Sequence, residues 1–109
     1  MQKFLNKKCI PCEGGMLPFT ADKIQKYVPE VPGWRVVKNK KIQREFALKN
    51  FKEAMAFINK VADLAEREGH HPDIYLHNWN KVRIDIFTHA IGGLSENDFI
   101  LAAKMNELY

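Results

Sequence analysis

The chain has 109 residues, 46% hydrophobic and 28% charged, which fits one folded domain and excludes a disordered segment. Its net charge of +4 is spread along the chain apart from Lys38, Lys40 and Lys41, so nucleic acid is an unlikely partner. No run of about 18 apolar residues is present to cross a membrane. The start MQKFLNKKCIPC has no signal-peptide hydrophobic region, and the expected location is the cytoplasm.

Residues 1–19 read as an irregular N-terminal arm, punctuated by Pro11, Gly14, Gly15 and Pro18. Its Cys9 and Cys12 form a lone C-x-x-C, without the second pair that a zinc site wants, and are expected to be free thiols. Residues 20–109 then form a single domain. Thr20 caps a short helix running to Val28, with Ile24, Tyr27 and Val28 on its buried side. Pro29 and Pro32-Gly33 end it. Trp34 to Val37 reads as a strand, Lys38-Asn39-Lys40 as a turn, and Lys41 to Leu48 as the returning strand.

Asn50 and Glu53 are spaced as a capping box. Beyond them Phe51, Ala54, Met55, Ile58, Val61, Ala62 and Ala65 recur at three- and four-residue steps, widened by Phe57 and Leu64. The stripe predicts a long amphipathic helix, facing the core or partly another subunit, and Gly69 ends it. Asp73 to His77 reads as a third strand, residues 78–81 as a turn, and Val82 to Thr88 as a fourth strand. Gly92-Gly93 breaks the chain, and Ser95 caps a last helix that packs through Phe99, Ala102 and Ala103. The expected fold is α+β, a four-stranded antiparallel sheet with three helices packed on one face.

All four histidines, at 70, 71, 77 and 89, lie in the last 40 residues. His70 and His71 sit between a helix-ending Gly69 and Pro72. The proline keeps His71 extended and the pair out of the helix, so that both rings can project from a loop. His89 lies just past the fourth strand. If strands three and four form a hairpin about Trp79 and Asn80, His70, His71 and His89 converge at its far end. Histidine takes both protonation states near neutrality, so three of them, with a carboxylate nearby, suit acid–base chemistry. A three-histidine zinc site is the alternative, which would also want orienting partners. His77 reads as peripheral, Asp98 as a helix cap as readily as a functional group, and Glu66 as an exposed charge equally well.

These residues resemble the pterin-4a-carbinolamine dehydratase family. The pattern is Glu66, three residues, His70-His71-Pro72, six residues to Trp79, nine to His89 and eight to Asp98. The resemblance extends to PGW at 32–34, to NFKEAMAFINKVADLAE and to THAIGGLSENDF, and so covers nearly all of the chain from Pro11 onward. It implies dehydration of 4a-hydroxytetrahydrobiopterin, or a related 4a-hydroxytetrahydropterin, to the quinonoid dihydropterin, recycling the cofactor of aromatic amino-acid hydroxylases. By the motif, His70 and His89 carry the acid–base work and His71 positions the pterin. Glu66, Pro72, Trp79, Thr88, Ala90, Ile91 and Asp98 are the further candidate substrate-binding residues. Many relatives have an acidic residue where this chain has Ala90. No metal or organic cofactor is implied, and the expected assembly is a homodimer or homotetramer. Two other roles follow from the resemblance: a non-catalytic dimerisation or coactivator function, as in mammalian relatives that partner a homeodomain transcription factor, and a supporting role in molybdopterin metabolism.

Overall fold

The structure, a computed structural model, describes residues 4–10 and 16–109. Cys12, and with it the C-x-x-C pair, lies outside the described residues. Helix α1 spans Ala21–Tyr27 and runs into a 3-10 turn at Val28–Glu30. Strands β1 (Arg35–Val37) and β2 (Lys41–Ala47) form a hairpin, followed by the long helix α2 (Phe51–Glu68). A second hairpin of β3 (Asp73–His77) and β4 (Lys81–Ile86) leads through a 3-10 turn at His89–Ile91 into α3 (Glu96–Asn106). The sheet is antiparallel throughout, in the order β1-β2-β4-β3. The expected α+β fold, with its four strands and three helices, is the one observed.

The alternating pattern of the two central strands explains the core. Ile42 and Phe46 of β2 and Val82, Ile84 and Ile86 of β4 are buried against Ile24 of α1, Ala54, Phe57, Val61 and Leu64 of α2, and Phe99 to Ala102 of α3. Val82 pairs with Phe46 and Ile84 with Arg44 across the β2–β4 ladder. Helix α3 is buried on nearly every side, as expected of a helix apolar around its circumference.

Several expectations shift. The α2 stripe is rotated: Ala54, Phe57, Val61, Leu64 and Ala65 face the core, whereas Phe51 is 52% and Met55 40% exposed and Ala62 is also exposed. The residues expected to widen the stripe are thus its centre, with the Phe57 ring lying 4.8 Å from that of Phe46 on β2. Asn50 does cap α2, accepting from the Glu53 N–H at 2.8 Å. Strand β4 stops at Ile86, and Thr88 instead makes an isolated bridge to Gly93. Gly93 is required there: a Cβ would stand 2.7 Å from Cβ of Pro18.

Residues 4–10 of the N-terminal arm are docked on the domain. Phe4 is buried beside Tyr27 and Phe99, with ring centroids 5.4 and 6.2 Å away. Residues 7–10 are tied across the C-terminal end of α2 and the first turn of α3. Lys7 Nζ pairs with Glu96 at 2.6 Å, Lys8 Nζ donates to the Arg67 carbonyl, and the Cys9 N–H donates to Glu68 Oε1 at 2.9 Å. The Cys9 thiol donates to the Asn97 carbonyl at 3.5 Å. Burial, reinforced by Glu68, pushes this thiol up to about 12, so it is a neutral packing group near pH 7 rather than a nucleophile.

Candidate active site

Two chain reversals deliver the histidines. At the end of α2, Gly69 adopts a left-handed conformation (φ 66°), and the N–H groups of Gly69 and His70 both turn back to the Ala65 carbonyl. Such an ending favours glycine, which carries no Cβ. It throws His70 and His71 off the helix axis, and Pro72 leads directly into β3. On the other side, the Thr88–Gly93 bridge closes a short loop containing the 3-10 turn His89–Ile91. The β3–β4 register, Asp73 opposite Asp85 and His77 opposite Lys81, sets the two reversals side by side. Between them lies an open cavity of about 330 Å³, lined by Gly69, His70, His71, Thr88, His89, Ala90, Asn97 and Ile10. The expected convergence of His70, His71 and His89 is the arrangement observed.

Each histidine has a different setting. His70 Nε2 lies 2.6 Å from Oδ1 of Asp98, and the two side chains are 12% and 0% exposed. The second oxygen of Asp98 accepts from Thr88 Oγ1 at 2.9 Å and from the Ser95 N–H at 2.8 Å. Thr88 and Ser95 hydroxyls also meet at 2.8 Å. Asp98 therefore completes the capping box of α3 with one oxygen and fixes the His70 ring with the other. A carboxylate at Nε2 keeps the imidazole hydrogen there and leaves Nδ1 as the nitrogen able to accept a proton. His71 Nε2 meets Glu66 Oε2 at 2.6 Å in an exposed pair. His89 is exposed and lies on the Phe87 ring, with centroids 4.1 Å apart.

The remaining candidates divide. Thr88 and Ala90 line the cavity. Ile91 lines an adjoining slot of about 180 Å³ instead. Pro72 lies half-buried on the approach to β3 and Glu66 reaches the site through His71. Asp98 is fully buried behind His70, so any influence it has on a ligand would pass through that ring. Trp79 is not at the site. It occupies the β3–β4 hairpin tip, 59% exposed, about 17 Å from the histidine end at the usual rise per strand residue. His77 is likewise remote, paired with Glu45 at 2.7 Å, as its peripheral reading anticipated. Among the described residues, no three His, Cys, Asp or Glu side chains are grouped as ligands of a metal ion. No helix is long and apolar enough to cross a membrane among these residues.

Sequence reasoning missed three cavity residues or supports. Phe87 was legible in principle, since the alternation read for the fourth strand puts it on the same side as His89, two residues earlier. Asn97 was hidden inside the capping sequence Ser95-Glu96-Asn97-Asp98. Ile10 carried no signal, because nothing local reports where an irregular arm docks.

Residues 17–108 match the family described as Pterin 4 alpha carbinolamine dehydratase. A protein of Alkaliphilus metalliredigens named as a putative pterin-4-alpha-carbinolamine dehydratase is 47% identical, over 98% of this chain and 96% of its own length. The mitochondrial pterin-4-alpha-carbinolamine dehydratase 2 of Arabidopsis thaliana is 49% identical over 94% of this chain and 57% of its own length. Among solved structures, a transcriptional coactivator/pterin dehydratase from Brucella melitensis superposes with a TM-score of 0.78 at 30% identity, covering 84% of this chain and 97% of that one. A pterin dehydratase-like protein described as a RuBisCO assembly factor of the alpha-carboxysome gives 0.59 at 26% identity over 70% of this chain and 88% of its own. With the family pattern spanning nearly the whole chain and the three histidines of its motif gathered at one cavity, this protein belongs to the pterin-4a-carbinolamine dehydratase family of hydro-lyases.

Proposed function

We propose that the chain dehydrates a 4a-hydroxytetrahydropterin, 4a-hydroxytetrahydrobiopterin or a close relative, to the quinonoid dihydropterin and water, by histidine acid–base catalysis. The observation that carries this reading is the gathering of His70, His71 and His89 at one open cavity with Asp98 buried behind His70. The exposed His89, protonated, gives its proton to the 4a-hydroxyl as the C4a–O bond breaks and water leaves. The N5 lone pair forms the C4a=N5 bond, and the N5 proton passes to Nδ1 of His70. The buried carboxylate of Asp98 then faces the imidazolium, whose charge it stabilises. Proton exchange with solvent resets both rings. His71, oriented by Glu66, holds the pterin edge.

The reaction would regenerate the pterin cofactor of aromatic amino-acid hydroxylases, in keeping with the family resemblance. Self-association as a homodimer or homotetramer is supported by the exposed flank of α2 at Phe51 and Met55 and by the two open sheet edges, β1 and β3. A single monomeric species in sedimentation at micromolar concentration would remove that part of the reading.

The catalytic test follows the decay of chemically generated 4a-hydroxytetrahydropterin. Wild-type protein is expected to accelerate it, and His70→Ala and His89→Ala to lose about a hundredfold or more in kcat, in line with the usual worth of a proton-transfer group. Decay no faster than in buffer with wild-type protein overturns the proposal. Inhibition by a chelator would point to a metal instead.

A further inference from the structure

The arm that precedes the family match reaches the histidine cavity itself. Ile10 lines that cavity and also the adjoining slot, which is otherwise formed by Met16, Leu17, Phe19 and the start of α3. It is thus shared by the two cavities, and the residue is 66% exposed. A singly exposed aliphatic group is ordinary in itself; its place at the cavity and its anchoring are what set this one apart. Here the chain is held. The Ile10 N–H donates to Asn97 Oδ1 at 3.0 Å, and Asn97 Nδ2 donates back to the Ile10 carbonyl. Asn97, 5% exposed, thus engages both backbone groups of Ile10, in the manner of a neighbouring strand. One residue earlier, Glu68 receives the Cys9 N–H and is itself paired with Lys104 at 2.6 Å.

These anchors belong to the same framework that holds the histidines. Asn97 adjoins Asp98, the partner of His70, and Glu68 is the last residue of α2 before the Gly69 reversal that presents His70 and His71. An aliphatic side chain fixed this way, the largest apolar group on a cavity whose other walls include three imidazoles, is suited to pack on a flat heteroaromatic ring. Burying its methyls against a ligand contributes affinity without taking part in proton transfer.

We infer that Ile10 is a substrate-binding residue of this protein, an apolar wall delivered by the N-terminal arm and held in register by Asn97, against which the pterin bicycle packs. The inference rests on the dehydratase reading for the ligand's identity. It does not depend on turnover. Ile10 acts on binding of the ground state and the transition state alike, so its loss raises KM while kcat stays put.

The test measures equilibrium binding of a stable oxidised pterin, biopterin, by calorimetry, alongside steady-state kinetics, for wild type, Ile10→Ala and Leu17→Ala. Leu17 is 88% exposed and lines only the slot. Ile10→Ala is expected to weaken biopterin binding roughly five- to tenfold, the loss of about one and a half buried methylenes. KM should rise by a similar factor with kcat within twofold, while Leu17→Ala changes neither. Asn97→Asp, which still accepts from the Ile10 N–H but cannot donate to its carbonyl, should weaken binding in the same direction with less effect. Unchanged biopterin affinity in Ile10→Ala, or an equal loss in Leu17→Ala, overturns the inference. If the wild-type protein binds biopterin but does not accelerate dehydration, the catalytic reading fails while the binding comparison still decides the role of Ile10.

Discussion

At the scale of the residue, the site depends on one side chain that never meets solvent. Asp98 has no exposed surface, and its two oxygens divide between α3 and His70. Replacing it with Asn puts an amide where two acceptors were needed. Either the Ser95 N–H and Thr88 hydroxyl or the His70 N–H then faces an N–H₂ group. Asp98→Asn is therefore expected to cut kcat by tenfold or more through a misdirected imidazole. It should also lower stability by about 1–2 kcal/mol through the damaged cap. Kinetics and urea unfolding of the same preparation check both. A normal kcat in a destabilised protein would mean that the cap matters and the histidine contact does not. Reading Asp98 from sequence as cap or functional group posed a false choice, because both uses are compatible once the carboxylate has two oxygens to give.

At the scale of the element, the two hairpin turns share a backbone conformation and differ in the residues that hold it. The β1–β2 turn holds Lys38 and Asn39, and the β3–β4 turn Asn78 and Trp79, all at φ between 52° and 56°. Such turns suit Asn-Gly, and a bulky residue in the second position sits in an unfavourable backbone region. Trp79 is thus strained, exposed and distant from the histidines. Trp79→Gly is expected to leave kcat and KM within twofold and to raise, rather than lower, the thermal midpoint. A KM rise of tenfold would show that the hairpin tip reaches a site, in the same chain or in another copy. Elements of this kind were largely legible in the sequence: helix starts at Thr20, Asn50 and Ser95, the α2 end at Gly69, and the β3 and β4 alternation all carry local signals. The face that α2 presents did not follow from spacing alone, since two adjoining apolar lines were available and only packing against β2 and β4 selects the one through Phe57 and Leu64. The position of Trp79 within the family pattern suggested a role at the site that its place on the hairpin does not support. Convergence of the three histidines was readable because turn and strand lengths set both approaches to the same end.

At the scale of the whole molecule, the arm, α2 and α3 meet at Glu68. Burial works against ionisation of this carboxyl, but hydrogen bonds from Lys104 and the Cys9 N–H, with the charges of Lys104 and Lys8, hold it below the usual carboxylate range. A carboxyl depressed in the folded state contributes stability that is present above the unfolded value. That contribution is lost as pH falls through the folded one. Stability should accordingly fall from about pH 5 downward, the ordinary glutamate range. Glu68→Gln should be less stable at pH 7 by roughly 1–3 kcal/mol, the cost of leaving a partly buried Lys104 without its partner. It should also show a shallower decline below pH 5. Urea midpoints between pH 3 and pH 7 measure both, and parallel profiles for the two proteins would remove Glu68 from the account.

The shared duty of Asp98 has a consequence for heating. The first turn of α3 carries both the helix cap and the contact that aims His70. Partial opening of α3 at Ser95 would release the imidazole long before the sheet separates. Were that turn to open before the core melts, activity would fade while the molecule as a whole is still folded.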